Sequence, residues 1–140
     1  LQLGAFPDMA YPVEMTPVDV LARAIAALTL APRQDLLVAN LSNPNTLSQR
    51  EFFQQLANCG LPSVAEPPTV WQQRLATISE DNGLSQIREF YTGDLSGAAP
   101  PVEQSATLAA LTALGVNYPA DYATLIPIYV AYLRREGFLG

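Results

Sequence analysis

The run Glu14-Met15-Thr16-Pro17-Val18-Asp19-Val20-Leu21-Ala22-Arg23-Ala24-Ile25-Ala26-Ala27-Leu28-Thr29-Leu30 constrains this chain more than any other. It reads as the end of a strand turning straight into a helix. Thr16 is placed to be the N-cap, because its hydroxyl can accept from a backbone N–H of the first turn. Pro17 suits the first helical position, where an N–H is not needed. Asp19 complements the positive helix end. Val18, Leu21, Ile25 and Leu28 follow a three-four-three spacing, which gives one apolar face. The small side chains of Ala22, Ala24, Ala26 and Ala27 allow close approach on the other faces. Such a helix needs packing partners round much of its circumference. By itself the pattern describes a capped core helix with no chemistry.

The remaining chain supplies short elements that would pack on it. Residues 1–12 carry Gly4, Pro7 and Pro12 and read as a loop or extended lead-in, with Tyr11 to Met15 extended into the helix. Pro32 ends the first helix, and Asp35 to Leu41 fits a buried strand. Ser42-Asn43-Pro44-Asn45 is loop chemistry. A second helix, roughly 48–58, opens on a Ser48/Glu51 capping box and closes at Gly60. Its inner side carries Phe52, Leu56 and Cys59, with Phe53 beside them. Leu61 to Glu66 fits an edge strand broken by Pro67-Pro68. Thr69 and Gln72 are spaced as a second capping box for a helix over roughly 70–79, with Trp71, Leu75 and Ile78 on one face. Residues 84–91 form a short fourth helix, and 92–103 an exposed loop. A fifth helix, roughly 104–114, stops at Gly115. Asp121 caps the last, with Leu125, Ile128, Tyr129, Tyr132 and Leu133 inward and Pro127 as a kink unless it lies near the start. Gly137 stops that helix, and Phe138-Leu139 folds back as an apolar clip. The class is mostly α with a few short β-strands. Strands this few are marginal alone, so they extend a larger sheet.

A chain of 140 residues is one domain or a piece of one. Apolar residues make up 49% and charged residues 14%, so a large share of surface is buried or covered by another segment. Seven arginines face thirteen acids at net charge −6, with no lysine and no histidine. No basic patch exists to neutralise phosphates, which argues against nucleic-acid binding. No apolar run approaches the roughly 20 residues of a membrane span. Nor does the start read as a signal peptide. Lacking an initiator methionine, the chain is expected to be a piece of a longer polypeptide.

The missing residue types exclude whole chemistries. Without histidine there is no imidazole base, no serine–histidine pair and no histidine metal site. Without lysine there is no tyrosine–lysine pair, no Schiff base and no P-loop. No GxGxxG-type turn follows a strand. Cys59, the single cysteine, excludes an internal disulfide. Its place at a helix C-terminus raises rather than lowers a thiol pKa, so it reads as a small apolar residue. Glu80-Asp81 reads as solvated turn charge and Trp71 as core. Tyr129 and Tyr132 share a helix face that suits packing. Tyr11, beside the strand-to-helix turn, has the better position to face a pocket.

The order of motifs carries a resemblance. Pro17-Val18-Asp19, Ala22, Ala24 and Ile25 resemble the "PVD-x-x-A-x-A-I" strand–helix of thioester reductase domains. Those are reductive-release domains of nonribosomal peptide synthetases and polyketide synthases, related to carboxylic acid and aminoadipate reductases. Leu37 to Leu41 is similar to the following strand, usually a histidine-containing "FHL-x-NP". Glu51 to Gly60 is similar to the next helix. Val70 to Leu75 resembles "EW-x-x-x-L", and Tyr132-Leu133 through Gly137-Phe138-Leu139 resembles the closing "YL-x-x-x-GFL".

The resemblance implies the C-terminal helical subdomain of an extended short-chain dehydrogenase/reductase, a Rossmann-type α/β protein. It implies a single substrate-binding subdomain over 1–140. NADPH and the Tyr-x-x-x-Lys pair then belong to an N-terminal Rossmann half, so no catalytic, cofactor-binding or metal residue is placed on this chain. The implied partners are that half and a phosphopantetheinylated carrier protein bearing an acyl or peptidyl chain, in the cytoplasm. Nucleic acid and membrane are not among them, and the isolated piece can form a homodimer. The expected pocket wall is Tyr11, Val13, Met15, Thr16, Pro17 and Val18. A helical docking module without an enzymatic parent, or a ligand-binding dehydrogenase relative that has lost activity, are the other readings.

Overall fold

The computed structural model describes residues 3–31, 38–91, 93 and 102–139. Among them are five α-helices, a 3-10 helix over Ser85–Tyr91 and four short strands, which is the mostly helical class expected. The elements are β1 (Ala5–Pro7), β2 (Pro12–Val13), α1 (Val18–Leu30), β3 (Leu47–Ser48), α2 (Gln49–Asn58), β4 (Val64–Glu66), α3 (Pro68–Ala76), α4 (Ser105–Ala113) and α5 (Tyr122–Arg135). The chain divides into two compact units. The first comprises Leu1–Pro12, Leu47–Ala99 and Tyr122–Gly140, and the second Val13–Thr46 and Pro100–Asp121.

In the first unit β1 pairs parallel with β4, Ala5 opposite Val64 and Pro7 opposite Glu66. The lead-in expected to be loop or extended is therefore partly strand. Gly4, at φ +62°, turns the chain into β1 and accepts from the Val64 N–H at 2.9 Å. Past Pro7, which has no N–H to give, Asp8 donates to the Glu66 carbonyl at 2.8 Å. Behind the pair lies a core of Ala5, Trp71 and Leu75, closed by Leu3, Ile78, Leu84 and Tyr91. Phe6 stacks flat on Phe53 of α2, with centroids 3.9 Å apart. A fork from Arg50 of α2 grips the Asp8 carboxylate and holds that carboxyl below its usual range.

The α2 start is as expected. Ser48 Oγ accepts from the Glu51 N–H at 3.2 Å, and Glu51 accepts from the Ser48 N–H at 2.8 Å. Ser48→Ala should lower stability by about 1 kcal/mol, read as a shift of the urea midpoint without a change of slope. Gly60 follows α2 at φ +80°, the left-handed C′ position. The expected Thr69/Gln72 box does not form. Pro67 and Pro68 pre-set the helical start, so α3 begins before Thr69. Gln72 instead donates to the carbonyls of Tyr91 and Gly93, at 2.6 and 2.8 Å. The fourth helix is of the tighter 3-10 type.

Two expected faces are corrected. In α5 the buried positions are Tyr122, Ile126 and Val130, while Ile128, Tyr132 and Leu133 are exposed. The i, i+4, i+8 row faces α2, and apolar residues on the other side left periodicity with no means of choosing. Phe138 is likewise exposed rather than clipped back, although its N–H does donate to the Leu133 carbonyl at 2.9 Å.

In the second unit α1 packs on α4. Val20 and Ala24 are buried, while Val18 and Ile25 are 80% and 50% exposed. At 100° per residue, residues 18 and 25 lie well round the helix from residues 20 and 24, so the buried face is rotated from the expected one, of which Leu21 and Leu28 stay half-buried. A helix apolar nearly all round can seat any side. The small Ala24, fully buried, lets α4 come close with Leu111 and Thr107. Residues 38–41 form no strand, and Val38 is exposed. The rest of that expected strand, with Pro32, lies outside the described residues, as does most of the 92–103 loop.

Candidate functional site

The six expected pocket residues are placed as follows. Tyr11 belongs to the first unit and is half-buried. Val13, Met15, Thr16, Pro17 and Val18 form the strand-to-helix turn of the second unit. Val13, Met15 and Thr16 are half-buried, Pro17 is buried and Val18 projects into solvent.

The turn is held differently from the expectation. Pro17, not Thr16, sits at the cap of α1, and no side chain caps the helix start. Its carbonyl accepts from the Leu21 N–H at 3.0 Å. The Thr16 hydroxyl donates to the Glu14 carboxylate instead, and accepts at 3.0 Å from the backbone N–H of Asn43. Glu14 Oε1 also accepts from that N–H, at 3.0 Å. Proline, with no N–H of its own, makes a sharp start without a capping hydroxyl, which frees Thr16 for a distant partner.

Asn43 was read from the sequence only as a loop residue. The local half of that reading holds, since Oδ1 accepts from the Asn45 N–H at 3.0 Å, an Asx turn. Its burial, at 1% exposure, was not legible from composition, because asparagine before proline usually marks a surface turn.

Tyr118, in the same unit, has a buried hydroxyl oxygen with no hydrogen-bond partner among the described residues. Burial, and then the Glu14 carboxylate, push that hydroxyl above the usual phenol range. Beside it lies a cavity of about 240 Å³ lined by Asn45, Leu108, Thr112 and Val116 among others. Tyr118→Phe removes a polar group that gains nothing from burial. It should leave stability unchanged or raise it by up to about 1 kcal/mol, measured by thermal melting.

The first unit has a larger cavity, about 560 Å³, between α3 and the 3-10 helix. Leu75, Ala76 and Tyr91 give it an apolar floor, and Gln72, Gln73 and Arg88 a polar edge. None of the six expected pocket residues lines it. Among the described residues no group of histidine, cysteine, aspartate and glutamate is arranged to hold a metal ion. No described helix is long and apolar enough to cross a membrane.

No model of a known protein family matches the chain. Its relatives include the L-2-aminoadipate reductase large subunit of Candida glabrata, 30% identical over 99% of this chain, and L-2-aminoadipate reductase of Saccharomyces cerevisiae, 29% identical over 99%. The chain spans only 11% of the length of either relative. Two solved structures share the fold. One is the terminal R domain from the myxalamid PKS-NRPS biosynthetic pathway, with a TM-score of 0.83 at 24% identity over 99% of this chain and 36% of that one. The other is a thiolation-reductase di-domain from an archaeal non-ribosomal peptide synthetase, with a TM-score of 0.75 at 21% identity over 98% of this chain and 29% of that one. By sequence the chain is thus similar to the C-terminal region of L-2-aminoadipate reductases, and its fold is one it shares with part of a terminal R domain.

Proposed function

We propose that this chain is the substrate-binding subdomain of an NADPH-dependent thioester reductase, acting in the cytoplasm on an acyl or peptidyl chain carried by a phosphopantetheinylated protein. The observation that carries the reading is the end-to-end superposition on a terminal reductase domain, joined to the end-to-end sequence match with aminoadipate reductases.

The residues present do not fit the cofactor. The sequence has no glycine-rich βα turn for a pyrophosphate and no lysine to pair with a catalytic tyrosine. NADPH would then be held by an N-terminal Rossmann half, where it would supply hydride for reducing the thioester to an aldehyde with the pantetheine thiol as leaving group, or the aldehyde to an alcohol. This chain contributes positioning and exclusion of water. Residues 13–18 form its pocket wall, with Tyr11 preceding them. Half-buried Val13 and Met15 suit an alkyl or pantetheine chain, because they offer apolar area and no competing nucleophile.

The test compares the 140-residue chain with the same chain joined to its upstream coding sequence. The joined protein should oxidise NADPH when given octanoyl-pantetheine, and the chain alone should neither bind nor oxidise it. NADPH oxidation by the chain alone would refute the reading. So would an upstream sequence lacking a glycine-rich βαβ start and a Tyr-x-x-x-Lys within about 250 residues, the span of a nucleotide-binding half with its linker. That second result would favour a docking module, whose support is the exposed apolar side of α1.

A further inference from the structure

The turn of residues 14–16 is tied to two distant segments through one buried amide. Asn43 Nδ2 donates to the Met15 carbonyl and to the Pro119 carbonyl, each at 3.0 Å. Its backbone N–H is shared by Glu14 Oε1 and Thr16 Oγ1, also at 3.0 Å each. Asn45 Nδ2 reaches the same Pro119 carbonyl at 3.2 Å. Both donors of the Asn43 amide thus meet carbonyls and its oxygen meets an N–H, so no rotation by 180° would satisfy the site.

Apolar packing is non-directional and tolerates shifts of a backbone along its own axis. A buried amide does not, because misaligning it strands polar atoms away from water. No side chain caps the start of α1, and this amide bonds the Met15 backbone directly. We propose that Asn43 is a positioning residue, fixing the Met15–Pro17 stretch in the conformation that receives the substrate chain. This rests on the pocket-wall reading above, and deepens it by assigning the residue that acts through the wall.

The test uses the complete reductase domain containing this chain, with octanoyl-pantetheine as substrate. Asn43→Asp keeps the shape, loses both donors and sets a carboxylate against two carbonyls and Glu14. It should raise KM about tenfold or more while kcat stays within about threefold, the pattern of lost ground-state binding. NADPH affinity should not change, and hydrogen exchange should quicken at residues 13–18. Thr16→Val, a gentler lesion, removes one acceptor of the Asn43 N–H and should raise KM about threefold with faster exchange in the same peptide. It keeps the test decisive where Asn43→Asp does not fold. Unchanged KM and exchange in the variants overturn the inference. A parallel fall of kcat and NADPH affinity also overturns it, since that marks general unfolding. If the unmutated domain does not turn over substrate, the reductase reading falls, and exchange at 13–18 alone then decides for or against the clamp.

Discussion

Trp71→Ala is expected to destabilise the first unit by about 3–5 kcal/mol. The indole is 4% exposed and lies in the cluster with Ala5 and Leu75. Its Nε1 donates to the Ala5 carbonyl at 3.3 Å, tying α3 to β1. Its ring meets Tyr91 edge-on, with centroids 5.2 Å apart. Alanine would leave a cavity, an unpaired strand carbonyl and a tyrosine without its aromatic partner. β1 and β4 are three residues each, too short to hold together unless a helix covers them. The expected result is a large fall in the urea midpoint and loss of exchange protection in peptides covering 3–8 and 84–91. A loss below about 1 kcal/mol would mean that the cluster is not the core of this unit.

In the second unit the largest effect is expected from Leu111→Ala, about 2–5 kcal/mol. Leu111 is 1% exposed and is the main apolar side chain that α4 buries. Exchange protection should be lost in α1 and α4. The converse change, Ala24→Leu in α1, fills a position with no free surface and should cost about 1–3 kcal/mol by overpacking. If Ala24→Leu proved neutral, α1 would have to be seated by its other face, the one carrying Val18 and Ile25. The pair therefore tests helix orientation as well as core strength.

How much of the site was legible follows from which interactions are local. The Ser48/Glu51 box, the glycines after α2, α4 and α5, and the stretch entering α1 were readable because each is settled within a few residues. The choice between Thr16 and Pro17 as the cap was not. It depends on Asn43, twenty-seven positions away, competing for the threonine hydroxyl. The same holds for Gln72, whose spacing suggested a cap and whose amide serves the end of the 3-10 helix instead.

The amino-acid order alone determined that this chain is mostly helical, that it has no histidine, no lysine and no GxGxxG-type turn, and that its motifs resemble those of thioester reductase domains in order. Those properties depend on residue type and on spacings within a turn or two, which no packing can alter. Only the tertiary structure decided which face of α1 and of α5 is buried, that residues 5–7 join residues 64–66 as a strand pair, and that Asn43 belongs in the interior. A helix apolar on two sides has no internal preference between them, and a buried amide is defined by carbonyls that reach it from other segments.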